Sequence, residues 1–305
     1  MRIQIQEGRK NAMRTARLDR EKKKQSHDPF WLGKLMAKLP AWPIFYPIYE
    51  ASQLNLMEEL YWSPRIPAGF DDFRIVYLSD IHFGPLFSEE RVRDLAQRVN
   101  KLHADVVILG GDYAVNSDGA VEFFQRLKPG FQAKTAVLGV MGNHDRMLPE
   151  ENFEKLLAAM REDGVTPLVN DGIVLERRGS RMAIVSCDDF YCGKPDLKKT
   201  AALSKKADFT VFCPHMPDVL PETYKMPGPL FYQLALCGHT HGGQVAVMGR
   251  AIRSSSIYGS KYLSGWYHEH GADILVSNGV GVSGLPVRWG AKPQMHLITM
   301  KKEET

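Results

Sequence analysis

The chain has 305 residues, of which 44% are hydrophobic and 24% charged. This composition supplies enough apolar material for one large α/β domain and excludes a low-complexity or disordered protein. Residues 1–28 contain nine Lys or Arg and four Asp or Glu, a balance of +5, which leaves −1 for residues 29–305. The basic character therefore belongs to the N-terminal tail, and a nucleic-acid-binding groove across the rest of the chain is not expected.

The first 66 residues divide into two segments by composition. Residues 1–28 are a basic tail that we expect to be flexible, and residues 29–66 are an extension rich in apolar and aromatic side chains. Asp28-Pro29 is typical of a helix start. The apolar side chains that follow recur at helical spacing, at Leu32, Leu35, Met36 and Leu39. The sequence therefore predicts a short amphipathic helix at the beginning of the extension.

The aromatic part of the extension suits a membrane surface better than a membrane span. Lys34, Lys38 and three prolines interrupt residues 30–49, so the segment lacks the roughly 20 consecutive apolar residues that spanning requires. Two interpretations remain open. In one, residues 1–49 bind an anionic membrane through apolar side chains and the basic tail. In the other, residues 30–49 strap across the following domain, which leaves the tail without a role.

From residue 67 onward, five short apolar runs each predict a buried strand. They are Arg74–Leu78, Val106–Leu109, Ala136–Met141, Phe209–Cys213 and Leu234–Cys237. The polar clusters that follow them are Asp80-Ile81-His82, Gly110-Gly111-Asp112, Gly142-Asn143-His144-Asp145, Pro214-His215 and Gly238-His239-Thr240-His241. Because the carboxyl ends of strands in an open α/β sheet gather at one crevice, we expect these clusters to meet there.

The clusters offer carboxylate, amide and imidazole ligands. Such donors favour divalent manganese, iron, zinc or cobalt over a structural zinc held by cysteine, and calcium would take more oxygen ligands. The set is too large for one tetrahedral ion, so we infer two ions roughly 3.5–4 Å apart, with a shared hydroxide as nucleophile. Asp112 suits the bridge between the ions. Each motif alone is ordinary turn or cap chemistry, and only their joint occurrence predicts the site.

The order of these motifs resembles that of the calcineurin-like metallophosphoesterase family over roughly residues 70–300. The resemblance implies a four-layer α/β/β/α sandwich with a dinuclear site. It implies that the first ion is held by Asp80, His82, Asp112 and His241, and the second by Asp112, Asn143, His215 and His239. His144 matches the family's histidine that, beside Asn143, contacts the substrate phosphate and protonates the leaving group. An imidazole fills that role well near neutral pH.

One position departs from the phosphoprotein phosphatases of the family. Those enzymes carry a second Asp three residues after the Gly-Asp motif, where it orients the catalytic histidine, and this chain has Val115 there. Either Asp145 or Asp118 supplies the orienting carboxylate instead, or no carboxylate is needed. The departure argues against a Ser/Thr protein phosphatase.

The C-terminal third resembles one bacterial branch of the family. The similar stretches are GHTHGGQ at residues 238–244, GSKYLSG at 259–265 and SNGVGVSGLPVR at 277–288. The branch includes phosphodiesterases of broad specificity, often anchored to or exported across the membrane, and a type of UDP-2,3-diacylglucosamine pyrophosphatase of lipid A synthesis. Its members often have Arg in place of Asn278 and Glu in place of Gln294. Arg288 has two interpretations. It either has a structural role, in a salt bridge or packed on Trp289, or it contacts a substrate phosphate.

The sequence thus predicts a catalytic domain at residues 67–305 that follows the tail and the extension. We expect a phosphohydrolase that depends on two divalent ions, most simply Mn²⁺, and that cleaves a phosphodiester or pyrophosphate bond of a lipid-linked substrate such as UDP-2,3-diacylglucosamine. The alternatives are a general or soluble nucleotide phosphodiesterase and a non-catalytic scaffold on the same fold. The first 20 residues lack an apolar signal sequence, so we expect a cytoplasmic protein, peripheral on the inner face of the cell membrane.

Overall fold

The computed structural model describes residues 46–147, 149–247 and 250–303. The predicted basic tail, the predicted amphipathic helix and the aromatic residues up to residue 45 lie outside the described residues, so those predictions stay predictions. Within the described ranges, no helix combines the length and the apolar character that crossing a bilayer requires.

Two six-stranded mixed sheets form the centre of the described chain. The first contains, in spatial order, β1 (Asn55–Ser63), β14 (Gln294–Lys302), β2 (Arg74–Leu78), β3 (Val106–Leu109), β4 (Ala136–Val140) and β5 (Val165–Leu168). The second contains β12 (Gly265–Glu269), β13 (Ala272–Val276), β9 (Leu234–Cys237), β8 (Phe209–Phe212), β7 (Ser180–Ser186) and β6 (Asp171–Arg177). Strands β2 to β5 are parallel, as are β7, β8, β9 and β13. A separate two-stranded antiparallel sheet pairs β10 (Ala246–Val247) with β11 (Arg250–Ala251).

All five predicted strands are present, and two of them end one residue early, at Val140 and at Phe212. Strand β1 was not predicted, and it lies in the range 29–66 that the sequence assigned to the extension. It pairs in parallel with β14 along its whole length, from Asn55 opposite Gln294 onward. Because its backbone groups take part in this ladder, β1 belongs to the first sheet, which therefore begins before the predicted boundary at residue 67.

Helices cover the outer faces of both sheets. They are α1 (Tyr46–Ser52), α2 (Glu89–Asn100), α3 (Ser117–Glu122), α4 (Asn143–Arg146), α5 (Glu150–Glu162), α6 (Leu197–Ser204) and α7 (Leu220–Thr223). A π-helical turn, Phe123–Leu127, continues α3, and 3₁₀ turns span Ala68–Phe70, Pro217–Val219 and His241–Gly243. The hydroxyl of Ser88 caps α2 by accepting a hydrogen bond from the backbone N–H of Arg91. Glu89 and Glu90 follow at the positive end of the helix dipole.

The apolar side chains separate into three buried layers. Along β2, Val76 faces the layer shared with α2 and α5, whereas Ile75 and Tyr77 face the second sheet, because successive side chains point to opposite faces of a strand. The third layer lies between the second sheet and α7, where Leu220 is buried. The resulting order of helices, sheet, sheet and helices confirms the predicted four-layer sandwich.

Candidate metal centre

Five strands bring the predicted ligands to one place. The loops after β2, β3 and β4 come from the first sheet and those after β8 and β9 from the second, and every predicted ligand lies within four residues of its strand end. All seven predicted ligands are buried. Because β2, β3 and β4 are parallel neighbours in the first sheet, and β8 and β9 in the second, their carboxyl ends lie at one edge of each sheet. The ligand groups combine side chains from both sheets.

Asp80, His82 and His241 form the first group of ligand atoms. Nε2 of His82 lies 3.0 Å from Nε2 of His241. Oδ1 of Asp80 lies 3.6 Å from the same Nε2 of His241. Two imidazole nitrogens and a carboxylate oxygen that converge in this way surround a point that one cation can occupy.

Asp112, His215 and His239 form the second group, with ligand atoms within 4.8 Å of one another. Nε2 of His215 is buried and has no hydrogen-bond partner among the described residues, although Oδ2 of Asp112 lies 3.4 Å away. Oδ2 of Asp112 also lies 3.7 Å from Nε2 of His82, so this carboxylate faces both groups as a bridging ligand would. Asn143 is buried at the start of α4, directly after the loop that follows β4.

The donor set fits two divalent cations. It combines buried carboxylates, an amide and imidazoles, and the buried Nε2 of His215 is left for a ligand that is not a protein atom. Six imidazole and carboxylate side chains this close together are costly to bury without a counter-ion that they share. Metal ions would occupy the positions toward which these atoms converge.

The charges of the site depend strongly on one another. Burial alone would raise the pKa of Asp112, but the nearby imidazoles of His215, His144 and His82 hold it well below its usual range. Burial lowers the pKa of His215, yet Asp112 and Asp80 outweigh it and raise the value to about 10. Because a histidine must be neutral to bind a metal, a cation at this position would replace the proton of His215.

His241 differs from His215 in its electrostatic surroundings. Burial lowers its pKa first, and the neighbouring His82 and Arg288 lower it further, to well below the usual range. The lowered pKa favours the neutral imidazole, which is the state that a metal ligand requires.

Five of the ligand residues have a left-handed backbone. The φ angles are 55° at Asp80, 49° at His82, 55° at Asp112, 70° at His239 and 54° at His241. Each such conformation costs of order 1 kcal/mol or more for a residue other than glycine, and it persists only where other contacts impose it. Here the backbone N–H groups of Asp80 and His82 donate to the carbonyls of Gly111 and Asp112.

A glycine lets the loops after β3 and β4 approach each other. Gly111 has φ 93°, and a Cβ at this position would lie 2.6 Å from the backbone nitrogen of Gly142 and 2.8 Å from Nδ1 of His215. No larger residue fits there without moving the ligand loops. The Gly-Gly-Asp motif is thus required by close packing as well as by the carboxylate.

Hydrogen bonds around the site orient the ligands. Nδ1 of His215 donates to the carbonyl of Gly110 (2.7 Å), which directs Nε2 into the site. Ser79 donates through its hydroxyl to Oδ2 of Asp80 (2.6 Å). The backbone N–H of His144 donates to Oδ1 of Asp112 (2.8 Å), which leaves Oδ2 to face the imidazoles.

His144 is oriented by the residue that replaces the family's second Asp. Its Nδ1 lies 2.9 Å from the carbonyl oxygen of Val115, which can only accept, so Nδ1 carries the hydrogen. Nε2 then points inward, 4.0 Å from Oδ2 of Asp112. Asp118 lies exposed in the first turn of α3. The sequence left open which group orients His144. The backbone carbonyl of Val115 does so, and no carboxylate is needed.

Asp145 holds two ligand loops together and does not orient His144. Its Oδ2 accepts hydrogen bonds from the backbone N–H groups of Asp112 (2.8 Å) and Gly142 (2.9 Å), and its Oδ1 accepts one from Tyr113 (3.1 Å). Burial, and then the charge of Asp112, raise the pKa of Asp145 to about 8. This residue positions the bridging carboxylate relative to α4.

Arg288 is fully buried, which corrects the suggestion that it contacts a substrate phosphate. Its guanidinium donates to the carbonyl oxygens of His241 (3.0 Å), Ala291 (3.0 Å) and Gly281 (3.2 Å). Burial lowers its pKa to about 10. Arg288 therefore has a structural role, as one of the two interpretations proposed. It fills this role by hydrogen-bonding carbonyl oxygens, not through a salt bridge or packing on Trp289.

The sequence reasoning missed the ion pair that anchors α4. Nε of Arg146 lies 2.9 Å from Oδ1 of Asp188, and Asp188 is 2% exposed. The guanidinium also stacks over Phe153 of α5. The sequence could have indicated a role for Asp188, because this residue follows the apolar run of a strand, as the predicted ligands do.

The chain is similar to a known protein family and to several known proteins. The family model described as calcineurin-like phosphoesterase matches residues 73–243. YkuE of Bacillus subtilis, named an uncharacterized metallophosphoesterase, is 31% identical over 256 residues, which cover 83% of this chain and 87% of the relative. Phosphodiesterase YaeI of Escherichia coli is 25% identical over 232 residues, covering 75% and 82%. A solved dimetal phosphatase from Danio rerio has 11% identity and a TM-score of 0.45, covering 75% of this chain and 99% of that one.

The chain belongs to the calcineurin-like phosphoesterase family. It is a metal-dependent hydrolase of phosphoesters, with His and Asp clusters that fit a dinuclear divalent site. The predicted family and enzyme class are thereby confirmed.

Proposed function

We propose that this enzyme hydrolyses a phosphodiester or pyrophosphate bond of a lipid-linked substrate such as UDP-2,3-diacylglucosamine, with two Mn²⁺ ions at its centre. The observation that carries the reaction class is the convergence of ligand loops from both sheets around Asp112, with His144 at the edge of the group. A filled ligand set weighs against the scaffold alternative. When bound, a pair of divalent ions supplies Lewis-acid activation of the phosphoryl group.

The protein side chains have separate roles in this proposal. Asp112 holds both ligand groups at a fixed separation, because its carboxylate is hydrogen-bonded through one oxygen and faces the imidazoles with the other. Nδ1 of His144 donates its hydrogen bond to the carbonyl oxygen of Val115. When the ring is protonated, Nε2 can therefore give its proton to the leaving oxygen. Asn143 and His144 are the proposed contacts to the substrate phosphate.

The described end of the extension supports an amphiphilic substrate. The carbonyl of Pro47 accepts a hydrogen bond from the backbone N–H of Arg288 (2.8 Å), so α1 lies against the loop that contacts His241. Tyr46 and Tyr49 on this helix remain exposed, while Glu50 is buried. The enzyme is proposed to work at the cytoplasmic face of the cell membrane. Residues 1–49 would contact the anionic lipid surface there, and nucleic acid is not expected as a partner.

A general or soluble nucleotide phosphodiesterase is the second candidate. It is favoured by the similarity to a relative named as a phosphodiesterase. The two candidates share the metal centre and differ only in what lies beyond the scissile phosphate.

Substrate preference separates these candidates. The purified, Mn²⁺-loaded protein is given UDP-2,3-diacylglucosamine, bis-p-nitrophenyl phosphate or a cyclic nucleotide, with and without EDTA. The proposal predicts hydrolysis that EDTA abolishes and that strongly favours the acylated sugar nucleotide. Preference for the simple diester or the cyclic nucleotide would contradict the lipid-linked substrate and support the second candidate.

A further inference from the structure

Several segments near His241 carry large, exposed apolar side chains. Six of these side chains are between 40% and 75% exposed. We call this set the apolar flank, and it consists of Tyr46, Tyr49, Val247, Ile252, Leu285 and Trp289. Large apolar side chains that are exposed together mark interaction sites, whereas single ones do not. Whether these six are contiguous therefore decides whether they form a surface.

Backbone hydrogen bonds join three of these segments. The backbone N–H of Trp289 donates to the carbonyl of Gln244 (3.0 Å), and the carbonyl of Trp289 accepts from Ala246 (2.7 Å). The N–H of Ile252 donates to the carbonyl of Val245 (3.0 Å). Residues 244–247, 252 and 289 thus form one small paired structure.

The two remaining segments attach to the same structure. The side-chain amide of Gln244 donates to the carbonyl of Leu285 (3.1 Å). The ring of Tyr46 packs edge-on against Trp289, with ring centroids 5.9 Å apart, and Tyr49 is 6.5 Å from Tyr46. Loop 283–289, the paired strands β10 and β11 with Ile252, and helix α1 therefore present their exposed apolar side chains from adjoining positions.

The apolar flank is joined by hydrogen bonds to the backbone of His241, one of the predicted metal ligands. His144 and His241 are the most exposed of the nine predicted site residues, at 8% and 6%. The backbone N–H of Gln244 donates to the carbonyl of His241 (2.8 Å), and Arg288, which precedes Trp289, donates to the same carbonyl. A surface that docks on the flank would therefore bring its phosphate groups close to the site.

The charges near the flank indicate which partner it takes. Arg253 and Lys292 are exposed within three residues of Ile252 and Trp289. Residues 1–45 join the structure at Tyr46, inside the flank, and their first 28 residues carry a balance of +5. Apolar and aromatic side chains bordered by cations match the headgroup region of an anionic bilayer.

We propose that the apolar flank is the surface on which this enzyme docks to an anionic lipid bilayer, with the metal centre turned toward the lipid headgroups. Docking itself does not depend on the reaction, because binding can be measured without turnover. Its consequence for catalysis rests on the proposed function, since a lipid-linked substrate could keep its acyl chains in the bilayer while its phosphate reaches His144.

The test is flotation of the full-length protein with phosphatidylcholine vesicles that do or do not contain phosphatidylglycerol. The variant Ile252→Ser/Leu285→Ser removes the two most exposed side chains of the flank. The matched control, Leu60→Ser/Val174→Ser, removes exposed apolar side chains from β1 and β6. Thermal unfolding of both variants is measured to confirm that they remain folded, as surface substitutions generally do.

The proposal predicts that the wild type floats with phosphatidylglycerol vesicles and that the flank variant binds them at least about tenfold more weakly. The control should bind like the wild type. Absence of flotation, or equal binding by both variants, would overturn the proposal. So would a self-association of the wild type, seen by sedimentation, that the flank variant abolishes, because the flank would then join two copies of the chain.

Hydrolysis of bis-p-nitrophenyl phosphate by the wild type separates this inference from the proposed function. Chelator-sensitive hydrolysis without flotation would mean that the docking surface is wrong and the reaction class right. Flotation that depends on the flank, without hydrolysis, would support the docking surface and contradict the proposed reaction.

Discussion

Substitution of Gly111 by alanine should both destabilise the protein and damage the metal centre. The left-handed φ of 93° costs alanine about 1–2 kcal/mol. The added Cβ would also lie 2.6 Å from the backbone nitrogen of Gly142 and 2.8 Å from Nδ1 of His215. Overlap of this kind in a packed region costs about 1–3 kcal/mol more. We expect the free energy of unfolding to fall by about 2–5 kcal/mol in total.

A matched control isolates the effect of close packing. Gly164 also has a left-handed backbone, with φ 77°, but a Cβ there would meet nothing within 4 Å. Gly164→Ala should therefore lose only about 1–2 kcal/mol. The difference of about 2 kcal/mol corresponds to a melting temperature about 4–8 °C lower for Gly111→Ala than for the control.

The assay is thermal unfolding of the EDTA-treated proteins, followed by measurement of bound Mn²⁺ after reloading. Gly111→Ala should bind less metal than the wild type because its ligand loops are forced apart, whereas Gly164→Ala should bind the normal amount. If the two variants melted within about 2 °C of each other and bound equal metal, the ligand loops would not be packed around Gly111 as described.

Three further substitutions test separate parts of the site. Asp112→Ala should abolish turnover and lower the metal content, because it removes the bridge, and retained activity in a folded protein would contradict this. His144→Ala should lower kcat about 10²–10⁴-fold with both metals retained, so metal loss would assign it a ligand role instead. Arg146→Met removes the counter-ion of the buried Asp188 carboxylate, which keeps only its hydrogen bonds from the backbone N–H groups of Asp189 and Lys194. It should cost about 3–5 kcal/mol in denaturant unfolding, whereas an unchanged midpoint would show that the pair contributes little.

The sequence predicted the strands and the ligand set because both depend on local patterns. A run such as Val106–Leu109 is apolar at every position, which only a strand buried on both faces requires. Ligand identity is also local, since Asp112 and His215 offer the same donor atoms in any fold. Their position at strand ends then follows from the topology of a parallel sheet.

The remaining features depend on contacts between distant segments. The orienting group of His144 is a main-chain carbonyl, so the side chain of Val115 carried no signal of it. The buried position of Arg288 depends on the carbonyls of three separate loop residues, which no spacing reveals. Strand β1 was missed because Glu58 and Glu59 interrupt its apolar pattern, and its pairing with β14 spans nearly the whole chain.

We infer that two catalytic metal ions are held by seven ligands, Asp80, His82, Asp112, Asn143, His215, His239 and His241. The deciding measurement is elemental analysis of the purified protein after dialysis against EDTA and reloading with Mn²⁺, with hydrolysis of bis-p-nitrophenyl phosphate followed in the same samples. Activity should rise with metal content and level off at two ions for each chain. Full activity in the metal-free protein, or saturation at one ion, would show that these residues do not hold two catalytic ions.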